Sequence, residues 1–312
     1  MSYCFWNNHT LQEEGTCIFE ADPFSIGIVY GVGIGDYIDQ FTFDTESCYR
    51  LGQQTVPNPR TLHSAVNARK EQKGYALGGY DIYAPVHGNS IDGWDFATAT
   101  AFTTAISTST DLRSAGSSES LTKGYAFAGV RNDDTTIEAV IFATETNSSV
   151  SAVADTAVGS PASINSAATG FFAGGRNGLS TFDVIQKLSH STEAASTSAS
   201  VLVVAKTAAG GTEAPGAGYI MGGGPITTVG YYDTIETLSI ATETVAASLV
   251  TLKVKRAVYN ATLSSKVKGY CMGGFSGSLS WEIDGMDFVT DTAINPLARL
   301  SQASRGSACF TA

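Results

Sequence analysis

Along nearly the whole chain, short apolar runs alternate with more polar ones, each only five to nine residues long and none with helical spacing. Six apolar runs share a pattern of Gly, a mostly aromatic or aliphatic stretch, and closing glycine: GIVYGVG from Gly27, GYALGGY from Gly74, GYAFAGV from Gly124, GFFAGGR from Gly170, GYIMGGG from Gly218 and GYCMGGF from Gly269. A run that is apolar at consecutive positions and bounded by turn residues predicts a strand covered on both faces. The closing glycines predict a tight turn or a close approach of neighbouring backbone. Each run is followed by a weakly alternating one with one carboxylate in the same place: Asp39, Asp92, Glu138, Asp183, Glu236 and Asp284. A more polar strand comes next, such as Ala101 to Ser107. A small-residue strand led by arginine then precedes the next glycine run, as at Arg60 to Asn67, Arg113 to Ser120 and Arg256 to Leu263.

The starts recur at intervals of 46 to 51 residues, so the chain is a repeat protein before it is anything else. Four strands per unit, with turn signals throughout, predict an all-β fold: a six-bladed β-propeller of four-stranded blades. The repeat occupies 27–312 as one domain, with starts near 27, 74, 124, 170, 218 and 269, and residues 1–26 form an arm outside it. The last stretch, Arg305 to Ala312, matches the arginine-led strands but has no glycine run after it, and the first unit has no such strand before Gly27. The C-terminal strand is therefore expected to complete the first blade and leave no open sheet edge. A five- or seven-bladed ring would follow if the arm supplied a blade or one unit were not a blade.

The stretch from Pro59 to Thr100 resembles a kelch repeat: a leading arginine, a small apolar strand, an aromatic-x-x-Gly-Gly run and a later acidic strand ending in a turn. The resemblance covers about 27–312 in six uneven copies. It is to the loose kelch-like type found in bacteriophage and bacterial structural proteins, and the closing tryptophan of many kelch units is mostly missing here. It implies a propeller closed by its C-terminal strand that binds through loops at one end.

Composition narrows the function. With 18 basic against 29 acidic residues the net charge is −11, and no basic cluster offers a footprint for nucleic acid. No run reaches the about 18 apolar residues of a membrane span, and the N-terminus lacks the pattern of an export signal. Five scattered cysteines read as buried thiols, and four histidines without ligand spacing give no metal site. No phosphate-binding, dinucleotide or nucleophile-elbow motif is present, and no cofactor is expected.

The six carboxylates could be metal ligands or acid–base groups. A group present in every unit, however, serves the unit, whereas a catalytic pair for glycan cleavage should break the symmetry. They are therefore expected to be structural, bonding the backbone of their own or the next blade, with no catalytic residue assigned. Loops after the glycine runs vary most, and Tyr80, Tyr83, His87, Arg131, Arg176, Tyr231, Tyr232 and Trp281 lie there as candidate partner- or ligand-contacting residues. Richness in Ser, Thr, Ala and Gly, together with the family resemblance, suggests a non-enzymatic virion component of a bacteriophage. It would be a tail or capsid appendage in a symmetric assembly, meeting other virion proteins or a host-surface glycan or protein. An intracellular kelch-type adaptor and a glycan-active propeller enzyme are the alternatives.

Overall fold

The computed structural model describes residues 5–7, 10–12, 26–32, 36–81, 88–129, 135–226 and 230–311. Phe5–Asn7 pairs with Thr10–Gln12 as a hairpin, and from Ile26 the strands form six antiparallel sheets in a ring, a β-propeller. From inside to outside, blade 1 is Ala308–Thr311, Ile26–Val32, Tyr37–Thr42 and Ser47–Thr55. Blade 2 is Ser64–Ala68, Lys73–Leu77, Ser90–Asp95 and Thr100–Ser107. Blades 3 to 5 repeat this order from inner strands Gly116–Glu119, Ala162–Asn165 and Gly210–Ala214. Blade 6 starts at Thr262–Ser264, and two short strands, Thr292–Ile294 and Arg299–Ser304, share its outer edge. The inner strands touch in sequence around the axis, and that of blade 6 meets Ala308–Thr311. The expected closure holds: the C-terminal strand sets Phe310 against Ile28 and Thr311 against Gly27.

The leading glycine of each repeat has a steric reason. A Cβ on Gly74 would lie 2.3 Å from Phe310, and one on Gly124 would lie 2.5 Å from Val66. The same holds for Gly170 against Ser118, Gly218 against Ile164, Gly269 against Thr212 and Gly27 against Leu263. In all six cases a side chain of the preceding blade's inner strand intrudes, joined at Gly269 by Phe288 of the same blade at 2.6 Å. Each blade thus enters a socket in the next that only glycine leaves open.

Two further belts join the blades. The turn entering each inner strand holds a residue at positive φ (Leu62, Ser114, Ser160, Ala208, Tyr259 and Gly306). Five amide bonds run between successive turns: Leu62 N–H to Gly306 O at 2.7 Å, Ser114 to Leu62 at 2.9 Å, Ser160 to Ser114 at 2.7 Å, Ala208 to Ser160 at 2.9 Å and Tyr259 to Ala208 at 3.0 Å. At the opposite end, Lys73 Nζ and Tyr75 OH of blade 2 donate to Glu145 of blade 3 at 2.6 and 2.9 Å. Lys123 and Tyr125 treat Glu193 alike, Lys187 bonds Glu243, and Lys268 with Tyr270 reaches Glu46 across the closure.

The repeated carboxylates tie each blade to the connection that enters it. Asp39 accepts from Ser301 N–H and Oγ, at 2.7 and 2.6 Å. Asp92 accepts from Asn58 at 2.8 Å and pairs with Arg60 at 2.5 Å. Glu138 accepts from Ser109 Oγ and from Asn147, Glu236 from Val203 N–H and Lys206, and Asp284 from the Lys253 and Val254 amides and Arg256. Blade 4 corrects the expected set. Gln186, not Asp183, stands at this register position, opposite Phe172, and exchanges two bonds with the Thr156 backbone at 2.8 and 2.9 Å. Asp183 lies three residues upstream, where its carbonyl accepts from Leu202 at 2.8 Å.

In three blades the carboxylate meets a buried cation. Arg60, Lys206 and Arg256 occupy one column beneath the entry turns and are buried against Asp92, Glu236 and Asp284. In blade 4 the buried Val158 stands two residues before the positive-φ Ser160, in that same column. Blade 4 thus has neither a cation nor a carboxylate at these two places, whereas in blades 1 and 3, where Ser304 and Leu112 stand in the column, Asp39 and Glu138 are held by hydroxyl and amide donors instead of a cation.

Phe310→Ala should lower stability by about 3–5 kcal/mol, the usual cost of emptying a buried phenylalanine site. Deleting 307–312 should abolish cooperative melting. An unchanged melting temperature, followed by circular dichroism, would mean that the ring closes without this strand.

Lysine donors, joined by tyrosine at Glu145 and Glu193 and by Ser198 at Glu243, hold these three carboxyls below the ordinary glutamate value of 4.5. Their contribution is then complete above pH 4.5 and lost as the pH falls through the lowered folded-state values. Glu145→Gln should flatten the acid limb of the melting-temperature profile, and an unaltered limb in Glu145→Gln and Glu193→Gln together would refute it.

Candidate functional site

The axial channel ends in two different cavities. At the end near the leading glycines, a ring of six inner-strand residues faces inward: Thr311, Asn67, Glu119, Asn165, Glu213 and Ser264, each opposite its blade's glycine. Side chains bridge blades here: Asn67 donates to Glu119 through N–H and Nδ2, at 3.3 and 3.2 Å, and Glu119 N–H donates to Asn165 Oδ1 at 3.1 Å. The space left is about 70 Å³, room for a few waters. Burial, and then the charge of Glu119, push the Glu213 carboxyl up to about 7. Burial also raises Glu119, opposed by Arg69 at 3.8 Å.

At the other end the entry turns and the variable loops form a wider bowl of about 280 Å³. Short ladders clip loop to turn within a blade: Thr61 to Tyr80, Gly159 to Arg176, Thr207 to Gly224 and Ala257 to Phe275. The loops and the entry turns therefore share one rim, as the resemblance implied. The clips leave the lining preorganised, with both partners of each clip anchored on the ring.

Three arginines meet at this mouth: Arg113 before blade 3, Arg176 in the blade 4 loop and Arg305 before blade 1. Arg113 stacks on Tyr80 with its Cζ 4.6 Å from the ring centroid, and Arg305 lies 5.3 Å over Phe275, which Tyr231 meets edge-on at 6.0 Å. Burial holds the Arg113 guanidinium below the usual arginine range, and the charges of Arg176 and Arg305 add to the shift. None of the described residues lining the bowl is acidic.

No protein-family model matches this chain, and no curated protein matches it either.

Of the sequence candidates, Arg176 and Tyr231 line the bowl and Tyr80 backs Arg113. Tyr232 sits lower, its ring 5.8 Å from Lys206 Nζ. Trp281 stands apart, half exposed under Arg299. Tyr83, His87 and Arg131 fall outside the described residues. His63 is buried between Tyr30 and the closing glycine Gly79, and burial with the nearby Arg60 keeps it neutral.

Arg113 and Arg305 read in sequence as copies of Arg60 and Arg256, and the structure corrects this. They stand one residue before the residue of their turn that joins the amide belt (Ser114, Gly306), whereas Arg60 and Arg256 stand two before theirs (Leu62, Val258). In extended chain that step turns a side chain to the opposite face. The result is a pair of mouth arginines in place of buried ones. Among the described residues no group of three or more His, Cys, Asp or Glu converges as metal ligands.

Glu213 yields a pH test. A carboxyl raised from 4.5 to about 7 adds stability that is complete below pH 4.5 and lost as the pH rises through 7. Glu213→Gln should match the parent melting temperature near pH 4.5 and exceed it above pH 7. Equal melting temperatures at pH 8 would show that Glu213 ionises freely.

Proposed function

We propose that this chain is a non-enzymatic binding propeller and a bacteriophage virion component, a tail or capsid appendage that meets another virion protein or the host surface through its loop rim. The carrying observation is the preorganised mouth, where loops of blades 2, 4, 5 and 6 are clipped to entry turns and display tyrosine and arginine. These side-chain types anchor interfaces because they combine large contact area with directional donors. The repeated carboxylates, in contrast, are engaged by amides, hydroxyls and cations of the entering connections, which supports a structural role for them.

The virion setting rests on the resemblance to loose kelch-like repeats and on the composition: few lysines and arginines and a net charge of −11, unsuited to nucleic acid. This part of the reading is an analogy of repeat type. Attachment within a symmetric assembly would use residues 1–26 or an outer blade face, leaving the mouth free.

Electron microscopy of purified particles from the source, probed with an antibody to this chain, tests the proposal. Label at a fixed, symmetric position on virions is expected. Label absent from particles, with the chain recovered in the cytoplasm, would sink the virion reading in favour of an intracellular adaptor. Turnover of a glycan by the purified chain would sink the non-enzymatic one.

A further inference from the structure

Arg113, Arg176 and Arg305 converge on one cavity in a chain whose acidic residues outnumber its basic ones, 29 to 18. Like charges brought together repel: burial lowers the Arg113 guanidinium, and the charges of Arg176 and Arg305 lower it further. Arg113 Nε is also buried without a hydrogen-bond partner, although its ring partner Tyr80 fixes the side chain. An arrangement of this kind is stabilised by an anion that takes up the idle donors.

We infer that the mouth is a binding site for a terminal acidic sugar, with the carboxylate held by Arg113 and Arg305 and the sugar ring lying against Tyr231 or Tyr259. This rests on the binding role proposed above and names its ligand class. Three features favour a sugar over a bare anion or an acidic peptide. The bowl is ringed by entry turns rather than open as a groove, so it accepts an end group and not an extended segment. Its volume of about 280 Å³ is at the small end for ligand pockets and suits one ring. Its lining combines tyrosine faces with the hydroxyls of Ser114, Ser160 and Thr207, matching a ligand with an apolar C–H face and several hydroxyl groups. Phosphate or an acidic side chain would use the arginines and leave the tyrosines without a partner.

The test is calorimetry of the full chain with methyl glycosides of glucuronic, galacturonic and N-acetylneuraminic acids, their neutral counterparts, inorganic phosphate and N-acetylglutamate amide. At least one acidic glycoside should bind tenfold or more tightly than its neutral counterpart. Arg305→Gln and Arg113→Gln should each cost tenfold or more at an unchanged melting temperature. Tyr231→Ala together with Tyr259→Ala should weaken the glycoside while sparing phosphate. Should Arg113→Gln fold poorly, Arg176→Gln and a loss of affinity with added salt carry the same test. Equal binding of acidic and neutral glycosides, or no binding of any acidic one, overturns the inference. So does phosphate or N-acetylglutamate amide binding as tightly as the best glycoside with no effect of the tyrosine variants. Virions that carry the label while the chain ignores acidic sugars would defeat this inference alone and leave the virion proposal standing.

Discussion

A ring of separate sheets has no hydrogen-bond ladder running around it, so its integrity depends on how each blade touches the next. Here the dominant contact is steric: one inner-strand side chain fills the space that the next blade's leading glycine leaves empty. Every Cβ placed there would lie 2.3 to 2.7 Å from that side chain. The chain around the axis is therefore as close as backbone allows, and the remaining features follow from that distance. Entry turns come near enough to share amide bonds, the channel narrows to a few waters, and variable loops are carried to one common rim.

The electrostatics are sorted by position. Carboxylates on the third strands are buried, and each meets amides, hydroxyls or a cation of the connection entering its blade. Those at the opposite end accept from lysine and tyrosine across a blade boundary. The channel keeps two half-buried glutamates that burial drives towards the protonated form. Among the described residues, the loop-rim mouth gathers positive charge without acidic lining. A chain of net charge −11 thus presents a locally cationic surface there, beside its most variable loops.

The architecture was legible because its determinants are local. Glycine columns, turn residues and a period near fifty report strand count and blade number directly, and the missing strand before Gly27 reports the closure. The site was half legible. Tyr80, Arg176 and Tyr231 could be placed by following each glycine run into its loop. Arg113 and Arg305 could not, because a one-residue offset against the turn residue in the amide belt decides whether an arginine is buried or faces the mouth, and no composition signal marks that residue. The same kind of offset hid Gln186 behind Asp183. The acidic residue in this stretch lies three positions before the neutral one that occupies the register position.

The matched column of cations and carboxylates also defines what can be exchanged between such proteins. Arg60 and Asp92, or Arg256 and Asp284, lie within one segment that starts in the connection and ends on the third strand. A duplication cut at the end of an outermost strand carries both members of the pair, whereas a cut after the entry turn strands one charge inside the new copy. Blade 4 carries neither charge, with Val158 and Gln186 in those places. A module with its own buried pair still depends on its neighbours, since its glycine must accept whatever side chain the preceding blade offers and its lysine must find the next blade's glutamate. Recombination of blades is therefore constrained by shape and by ion pairs at the seams, and is free of a charge constraint only in the buried column.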